Sequence, residues 1–290
     1  METKTLLRKI KKEFPEINWE SARKTKQNWD FDVVILDNMY VFRFAKDKGG
    51  EKRLANEIKL LDYLANKTLM PVPNYIFRSK SGKFAGYKIL KGEKLALMEF
   101  RKLPYSVKKK MAVEFADFLN VLHGVSKRHF GNFGIETKSK GDEIEKLFGR
   151  LKRTAFPKLK KQETKDIANF FDQYDALIKK PYKRVLVHGD LTRENIIFEN
   201  NKITGVIDFS NFGVNEPALD FKGFWGFGLG FVKMVYENYK DNGDNFFIER
   251  SRLYHRMIGL YVLDGTVSCK HSPLSFEKGY KLFRKYFYIK

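Results

Sequence analysis

Asp190, Asn195 and Asp208 are the residues whose types and spacing suggest chemistry. Asn195 lies five positions after Asp190, and Asp208 thirteen after Asn195. Apolar runs enclose them: Val185-Leu186-Val187 before, Ile196-Ile197-Phe198 between, and Val206-Ile207 directly ahead of Asp208. A single aspartate in a loop is ordinarily a turn or cap residue. Two carboxylates and an amide held between buried-looking strands are a different case, and they suit phosphoryl transfer. That reaction asks little covalent help of a protein. It needs metal ions to neutralise a triphosphate and a group that orients or deprotonates the attacking hydroxyl. Mg²⁺ takes hard oxygen ligands, only a few of them from protein. Asn195 offers an amide oxygen and Asp208 a carboxylate. Asp190 is left to accept the proton of the incoming hydroxyl. An ordinary aspartate pKa near ~4 suffices, because that hydroxyl becomes acidic only late in transfer.

Several elements must position such a set. Residues 3–14 read as a helix. Residues 31–36 and 39–45 are β-branched and aromatic, and Asp37-Asn38 between them makes a tight-turn pair, so a hairpin is expected. Residues 49–66 place Leu54, Ile58, Leu61 and Leu64 near helical spacing. The run Met70-Pro71-Val72-Pro73 breaks that helix. Strands over 75–79 and 84–90 turn at Ser81-Gly82, and 91–93 read as a short connector. From residue 107 the period becomes helical, over 107–123, 141–156 and 163–179. A short strand at 185–188 and a second hairpin, 196–199 with 202–208 around Asn200-Asn201, interrupt the helices. Everything after Asp220 reads helical. The reading is therefore α+β and bilobal: a small β-rich N-terminal lobe over residues 1–91 and a larger, mainly helical C-terminal lobe over 92–290. A cleft between two lobes is a favoured ligand site.

Composition narrows the class. The chain has 290 residues, 43% hydrophobic and 15% aromatic, which is far from a disordered composition. One cysteine, Cys269, excludes an internal disulfide and a cysteine-based zinc site. No run of about 18 apolar residues and no signal-peptide core is present, so a cytoplasmic protein without a membrane span is expected. The net charge of +21 attracts polyanions non-specifically. Its densest runs, Lys108-Lys109-Lys110 and Lys158 to Lys161, sit in helix-like segments and read as solvated faces. No specific nucleic-acid partner is expected, and the chain is expected to be a monomer.

The motifs resemble the aminoglycoside phosphotransferase and choline kinase-like family, relatives of the protein kinases. The resemblance rests on His188-Gly189-Asp190-Leu191 with Asn195, on Ile207-Asp208-Phe209, and on Glu216-Pro217-Ala218-Leu219-Asp220. Protein kinases carry H-R-D-x-x-x-x-N and D-F-G at the corresponding places; here Gly189 stands for the Arg and Ser210 for the last Gly. The resemblance implies a protein-kinase-like fold and transfer of the γ-phosphate of ATP or GTP, with Mg²⁺, to a hydroxyl of a small molecule. It implies Asp190 as catalytic base, Asn195 and Asp208 as Mg²⁺ ligands, and His188 and Asp220 as supports of the loop. Arg43, in Tyr40-Val-Phe-Arg-Phe-Ala-Lys, stands where the family puts a phosphate-binding cation, often Lys. Glu57 would be the carboxylate that holds it, as an Arg–Glu pair can be bidentate. Lys88 and Leu90 would be the hinge positions that pair with the nucleobase through backbone groups, and Ile207 its apolar neighbour.

Two features depart from the family pattern. The nucleotide loop, residues 24–30, contains no glycine to let the backbone approach phosphates; Lys24 and Lys26 offer charge instead. After Asp220 the chain reads Phe-Lys-Gly-Phe-Trp-Gly-Phe-Gly-Leu-Gly-Phe, with no acid before Glu237. An aromatic, acid-poor segment suits a neutral or partly apolar acceptor better than a polycation. The glycine-free loop and Ser210 leave one alternative, a nucleotide-binding pseudokinase or scaffold.

Overall fold

The structure, a computed structural model, describes residues 2–25, 31–135, 141–241, 243–268, 272 and 274–289, the side chains of 141–143 excepted. Lys26 with the loop to residue 30, and Cys269, lie outside the described residues.

The N-terminal part runs α1 (Thr3–Glu13), β1 (Ala22–Lys24), β2 (Phe31–Leu36), β3 (Tyr40–Ala45), α2 (Lys48–Leu64), β4 (Phe77–Arg78) and β5 (Phe84–Lys88). The strands form one antiparallel sheet in the order β1-β2-β3-β5-β4. Side chains alternate between the faces of a strand. Val34, Leu36, Phe42 and Phe44 meet Leu6 and Ile10 of α1 on one face. Val33, Ile35 and Val41 join the larger core on the other. With both faces covered, β2 is buried at every position. Asp37 and Asn38 both take positive φ, 49° and 51°, as a two-residue hairpin turn of the primed type requires. Helix α2 starts where the Asp47 carboxylate accepts the Gly50 amide at 2.7 Å.

The C-terminal part continues with β6 (Glu93–Lys94), α3 (Leu97–Lys102), α4 (Tyr105–His123), α5 (Gly141–Thr154), α6 (Lys161–Ile178), β7 (Val185–Val187), β8 (Ile196–Glu199), β9 (Lys202–Val206), β10 (Gly213–Asn215), α7 (Ala218–Phe221), α8 (Leu229–Asn238), α9 (Phe247–Ser268) and α10 (Phe276–Phe287). Two small antiparallel sheets, β10-β7 and β6-β8-β9, sit among these helices. Helices α5, α6, α9 and α10 share a core of their own, around Leu147, Phe170, Leu260 and Phe283. Among the described residues no helix is long and apolar enough to cross a membrane.

The structure adds short strands where the sequence reads loops. Strand β1 pairs with β2, residues 93–94 pair with β8 rather than merely connecting, and β10 pairs with β7. Two- and three-residue strands are too short for any period to show in sequence, and their partners lie far along the chain. Strand β9 ends at Val206, before the expected 208, because Asp208 leaves the extended region with φ +64°.

Candidate active site

The site is built on the end of β7. That strand is Val-Leu-Val, wholly buried. It leads into His188 and then Gly189, where φ is +82°. A Cβ on Gly189 would stand 2.3 Å from the Asn211 carbonyl oxygen, so no larger residue fits. Buried Asp220 lies beneath this turn. Its carboxylate accepts the amides of His188 and Gly189, each at 2.8 Å, and His123 Nε2 at 3.0 Å. Tyr239 holds the other nitrogen of His123 at 2.9 Å. Burial alone would raise the Asp220 pKa; His123 and the His188 amide outweigh it and keep the carboxyl below its ordinary range.

His188 joins the two halves of the motif. The Asp190 amide donates to its Nδ1 at 3.2 Å, and its Nε2 meets the Ile207 carbonyl, also at 3.2 Å. Burial pulls the His188 pKa down against Asp220 and Asp190, and a neutral ring protonated on Nε2 satisfies both bonds.

Asn195, in a short 3₁₀ turn, donates its side-chain amide to the Asp190 carbonyl at 2.8 Å and to Asp190 Oδ2 at 3.0 Å. The carboxylate fixes which end of the amide is nitrogen, so the amide oxygen points away from Asp190. The Asn195 backbone carbonyl accepts the Ile207 amide at 2.9 Å. Asp190, Asn195 and Asp208 are thus brought together, as their spacing predicts. Burial pushes the Asp190 carboxyl above its ordinary range, with Lys222 and His188 pulling against it.

Asp208 is a non-glycine residue in the left-handed region, with φ 64° and ψ 68°. Such a conformation persists only where its surroundings hold it. Ser210 Oγ donates to Asp208 Oδ1 at 2.7 Å, and Arg43 Nη2 reaches the same oxygen at 3.1 Å. Burial raises the Asp208 pKa, but Arg43 and Ser210 outweigh it and hold the group below the ordinary value. Ser210, a departure at the sequence level, therefore has a definite contact.

Arg43 points inward from β3 and is buried. Its Nη1 donates to Glu57 Oε1 of α2 at 2.6 Å and to the Tyr75 hydroxyl at 3.1 Å. Tyr75 donates in turn to Glu57 Oε1 at 3.2 Å. The guanidinium lies 4.2 Å from the centre of the Phe31 ring, a cation–π contact. Burial works against the charge of Arg43, yet Glu57, Tyr75 and Asp208 raise its pKa well above the ordinary value. One guanidinium thereby ties β3, α2 and the Asp208 turn together.

Lys88 closes β5 with an exposed side chain and is paired with Tyr40. Beyond it the Ile89 amide donates to the Met39 carbonyl at 2.8 Å, so Lys88 and Leu90 flank a bonded position. Leu90 packs over Gly205, where a Cβ would meet Leu90 Cδ1 at 2.3 Å. Ile207 is half-buried beside Asp208. Lys24 forms an ion pair with Asp32 at 2.9 Å.

The aromatic stretch after Asp220 turns largely inward: Phe224, Trp225 and Phe231 are at most 4% exposed, and the Phe227 ring packs, tilted, 4.3 Å from that of Phe100. It belongs to the core because rings at this spacing fall on the packed side of the segment. Lys222 remains beside the loop, its ammonium donating to the Gly189 carbonyl at 2.5 Å. Sequence reasoning passed over Lys222, Tyr75 and Phe31. No local signal marks them, since each gains its place through a partner at least 12 residues away.

A model of the phosphotransferase enzyme family matches residues 21–259. Among solved structures, the GDP complex of wild-type aminoglycoside 2'-phosphotransferase-IIIa is 21% identical, covers 98% of each chain and superposes with a TM-score of 0.86. The streptomycin-ATP-APH(2")-IIa ternary complex is 21% identical, covers 99% of each chain and has a TM-score of 0.72. The apoenzyme of macrolide 2'-phosphotransferase MphH from Brachybacterium faecium is 17% identical over 89% of this chain and 90% of its own, with a TM-score of 0.64. At these identities the likeness is one of fold. The family match spans most of the chain and includes every residue from Arg43 to Asp220 described above: the chain belongs to the phosphotransferase enzyme family and is built on the bilobal protein-kinase-like fold.

Proposed function

We propose that the protein transfers the γ-phosphate of ATP or GTP, bound with Mg²⁺ between the lobes, to a hydroxyl of a small molecule. The observation that carries this reading is the closed set of bonds joining Asp190, Asn195, His188 and the backbone of Ile207, the residue before Asp208. The acceptor oxygen attacks the γ-phosphorus as the bond to the β–γ bridging oxygen breaks. Its proton passes to the Asp190 carboxylate. The products are a phosphomonoester and a nucleoside diphosphate.

The donor set fits Mg²⁺. Among the described residues no group of three or more His, Cys, Asp or Glu is arranged to hold a metal. One carboxylate, Asp208, and one amide oxygen, Asn195, suit an ion that takes most of its ligands from phosphates and water. Bound there, Mg²⁺ would neutralise charge on the transferring phosphoryl. Arg43, fixed by Glu57 and Tyr75, supplies a permanent cation on the Asp208 side. Lys88 and Leu90 present backbone to the nucleobase, and Ile207 an apolar wall. The cytosol holds such nucleotides, which supports that location, and the reading needs only one chain.

The test is nucleotide consumption measured against a range of hydroxyl compounds, with Asp190→Ala as the control. Loss of turnover with retained Mg²⁺–nucleotide binding is expected. A fully active Asp190→Ala enzyme removes the assigned base.

A further inference from the structure

Arg43 and Ser210 converge on one atom. Arg43 Nη2 lies 3.1 Å from Asp208 Oδ1, and Ser210 Oγ donates to the same oxygen at 2.7 Å. The Asp208 side chain is 43% exposed, against 8% for Arg43. With both donors on Oδ1, the carboxylate presents its other oxygen, Oδ2, on the open side.

The backbone delivers the Ser210 hydroxyl to this place. Ser210 lies in the short 3₁₀ turn Phe209–Asn211, which Asp208 precedes. Phe209 is wholly buried, its ring 4.4 Å from that of His188. On the other side of Ser210, the Asn211 carbonyl is pressed against Gly189, where a Cβ would stand 2.3 Å from it. The turn is thus pinned on both sides of the serine.

A guanidinium beside a metal-binding carboxylate carries a hazard. Arg and a carboxylate pair through two parallel N–H···O bonds when both are free to align. Of the five N–H groups of an arginine, those on Nη1 serve Glu57 and Tyr75 here, and one on Nη2 serves Asp208. The second Nη2 N–H and the Nε N–H have no hydrogen-bond acceptor among the described residues, and together they make one side of the planar fork. A carboxylate free to rotate would bring Oδ2 beside Oδ1 onto that side. Both oxygens of Asp208 would then belong to Arg43 and neither to a metal.

We infer that Ser210 is a positioning residue that keeps Asp208 available to Mg²⁺: its hydroxyl holds Oδ1 against rotation and so prevents Arg43 from capturing the carboxylate as a bidentate pair. The inference rests on the metal assignment in the kinase reading above and adds a residue to it. The role is indirect, and it depends on the opposing cation being arginine. A lysine ammonium is a point charge without a planar fork and makes no such capture.

The experiment measures how much Mg²⁺ tightens nucleotide binding. The full chain is titrated calorimetrically with ADP and with GDP, each with and without Mg²⁺. The readout is the ratio of the two dissociation constants, which does not involve turnover. In wild type Mg²⁺ is expected to tighten binding. In Ser210→Ala that gain should shrink roughly three- to tenfold, as for the loss of one hydrogen bond. A purely structural role would lower both affinities alike and leave the ratio unchanged. Ser210→Gly removes the same hydroxyl, should lose as much, and carries the test if the alanine variant melts early. Ser210→Thr keeps the hydroxyl and should restore most of the gain. In an Arg43→Lys background, Ser210→Ala should reduce the remaining gain by less than about twofold, because the two substitutions act on one contact.

An unchanged gain in Ser210→Ala overturns the inference. So does an equal loss with Arg43 and with Arg43→Lys, which would make Ser210 a support of Asp208 whatever cation stands opposite. Asp208→Asn separates this inference from the reading beneath it. If that variant abolishes the gain while Ser210→Ala leaves it whole, the inference fails and the metal assignment stands. If Asp208→Asn keeps the full gain, or Mg²⁺ gives none in wild type, the metal assignment fails and takes the inference with it.

Discussion

At the scale of single residues, the proposed mechanism separates the site into groups that would meet the proton and groups that would meet the nucleotide. Asp190 belongs to the first. Its carboxylate accepts from Asn195 and sits next to a neutral His188. Replacing it with Asn keeps the shape and removes the base, so kcat should fall by ~10²–10⁴ while nucleotide affinity, measured by titration, is kept. Tyr75 belongs to the second group, through Arg43. Its hydroxyl accepts from Arg43 and donates to Glu57 in a fully buried setting. Tyr75→Phe leaves the Arg43–Glu57 pair in place but removes one of the bonds that orient it. The expected effect is a nucleotide KM raised roughly fivefold with little change in kcat, in line with about 1 kcal/mol for such a bond. An unchanged nucleotide KM would show that Glu57 alone orients the guanidinium.

At the scale of elements, catalytic geometry depends on how α7 and the turn after it brace the loop between β7 and β8. Asp220, in α7, takes two loop amides and one imidazole at zero exposure. Asp220→Ala strands those donors in the interior. Breaking a buried charged contact costs about 3–5 kcal/mol, so a large drop in unfolding free energy is expected in denaturant titration. Gly223→Ala tests the same brace from the other side. Its added methyl would run into the backbone of Leu191 and Thr192, which cannot swing aside as a flexible side chain could. Activity should fall at least tenfold, because a small displacement of a positioning element is enough to lose that much. Normal turnover in Gly223→Ala would mean the segment can slide without consequence.

At the scale of the whole molecule, Arg43 and Asp208 are 165 residues apart in sequence and 3.1 Å apart in space, so the pair proposed to handle phosphate also joins the two lobes. Folding stability also depends on two buried groups whose pH responses oppose each other. His255 is held down to about 4 from 6.5, chiefly by burial. The unfolded chain therefore binds the extra proton between those values, and the contribution of His255 is complete above about 6.5 and lost as pH falls toward 4. Glu216 is pushed by burial up to about 7 from 4.5. Its contribution is complete below about 4.5 and lost as pH rises toward 7. The two trends partly cancel in the native protein, and a substitution separates them. Between pH 7 and pH 5, wild type should lose about 2 kcal/mol more than His255→Gln, as read from unfolding at both pH values. Equal losses would show that His255 is solvated enough to titrate normally. The net charge of +21 belongs to this scale too. Binding to duplex DNA should weaken steeply with added salt and show no base preference.

The sequence by itself determined the β-rich and helical halves, the two hairpins and the set Asp190, Asn195 and Asp208. Each is specified by neighbours a few residues away: β-branched runs around Asp37-Asn38 and Asn200-Asn201, helical spacing in α2 and α4, and motif residues whose strands carry them to one place. The tertiary structure alone decided which cations stand beside those carboxylates and which residues hold them. Tyr75 under Arg43, Phe31 against its guanidinium, Ser210 on Asp208 and Lys222 on the Gly189 carbonyl have no sequence signature. Nor did the short strands β1, β6 and β10, which exist only because a distant strand offers its edge. The aromatic residues after Asp220 show the same division. Their spacing is equally compatible with a ligand wall and with a packed interior, and the core lying behind the segment drew them in and left Lys222 beside the base. Local periodicity is set by backbone geometry and is legible in one dimension. Proximity between residues far apart in the chain arises only when hydrophobic burial closes the fold around them.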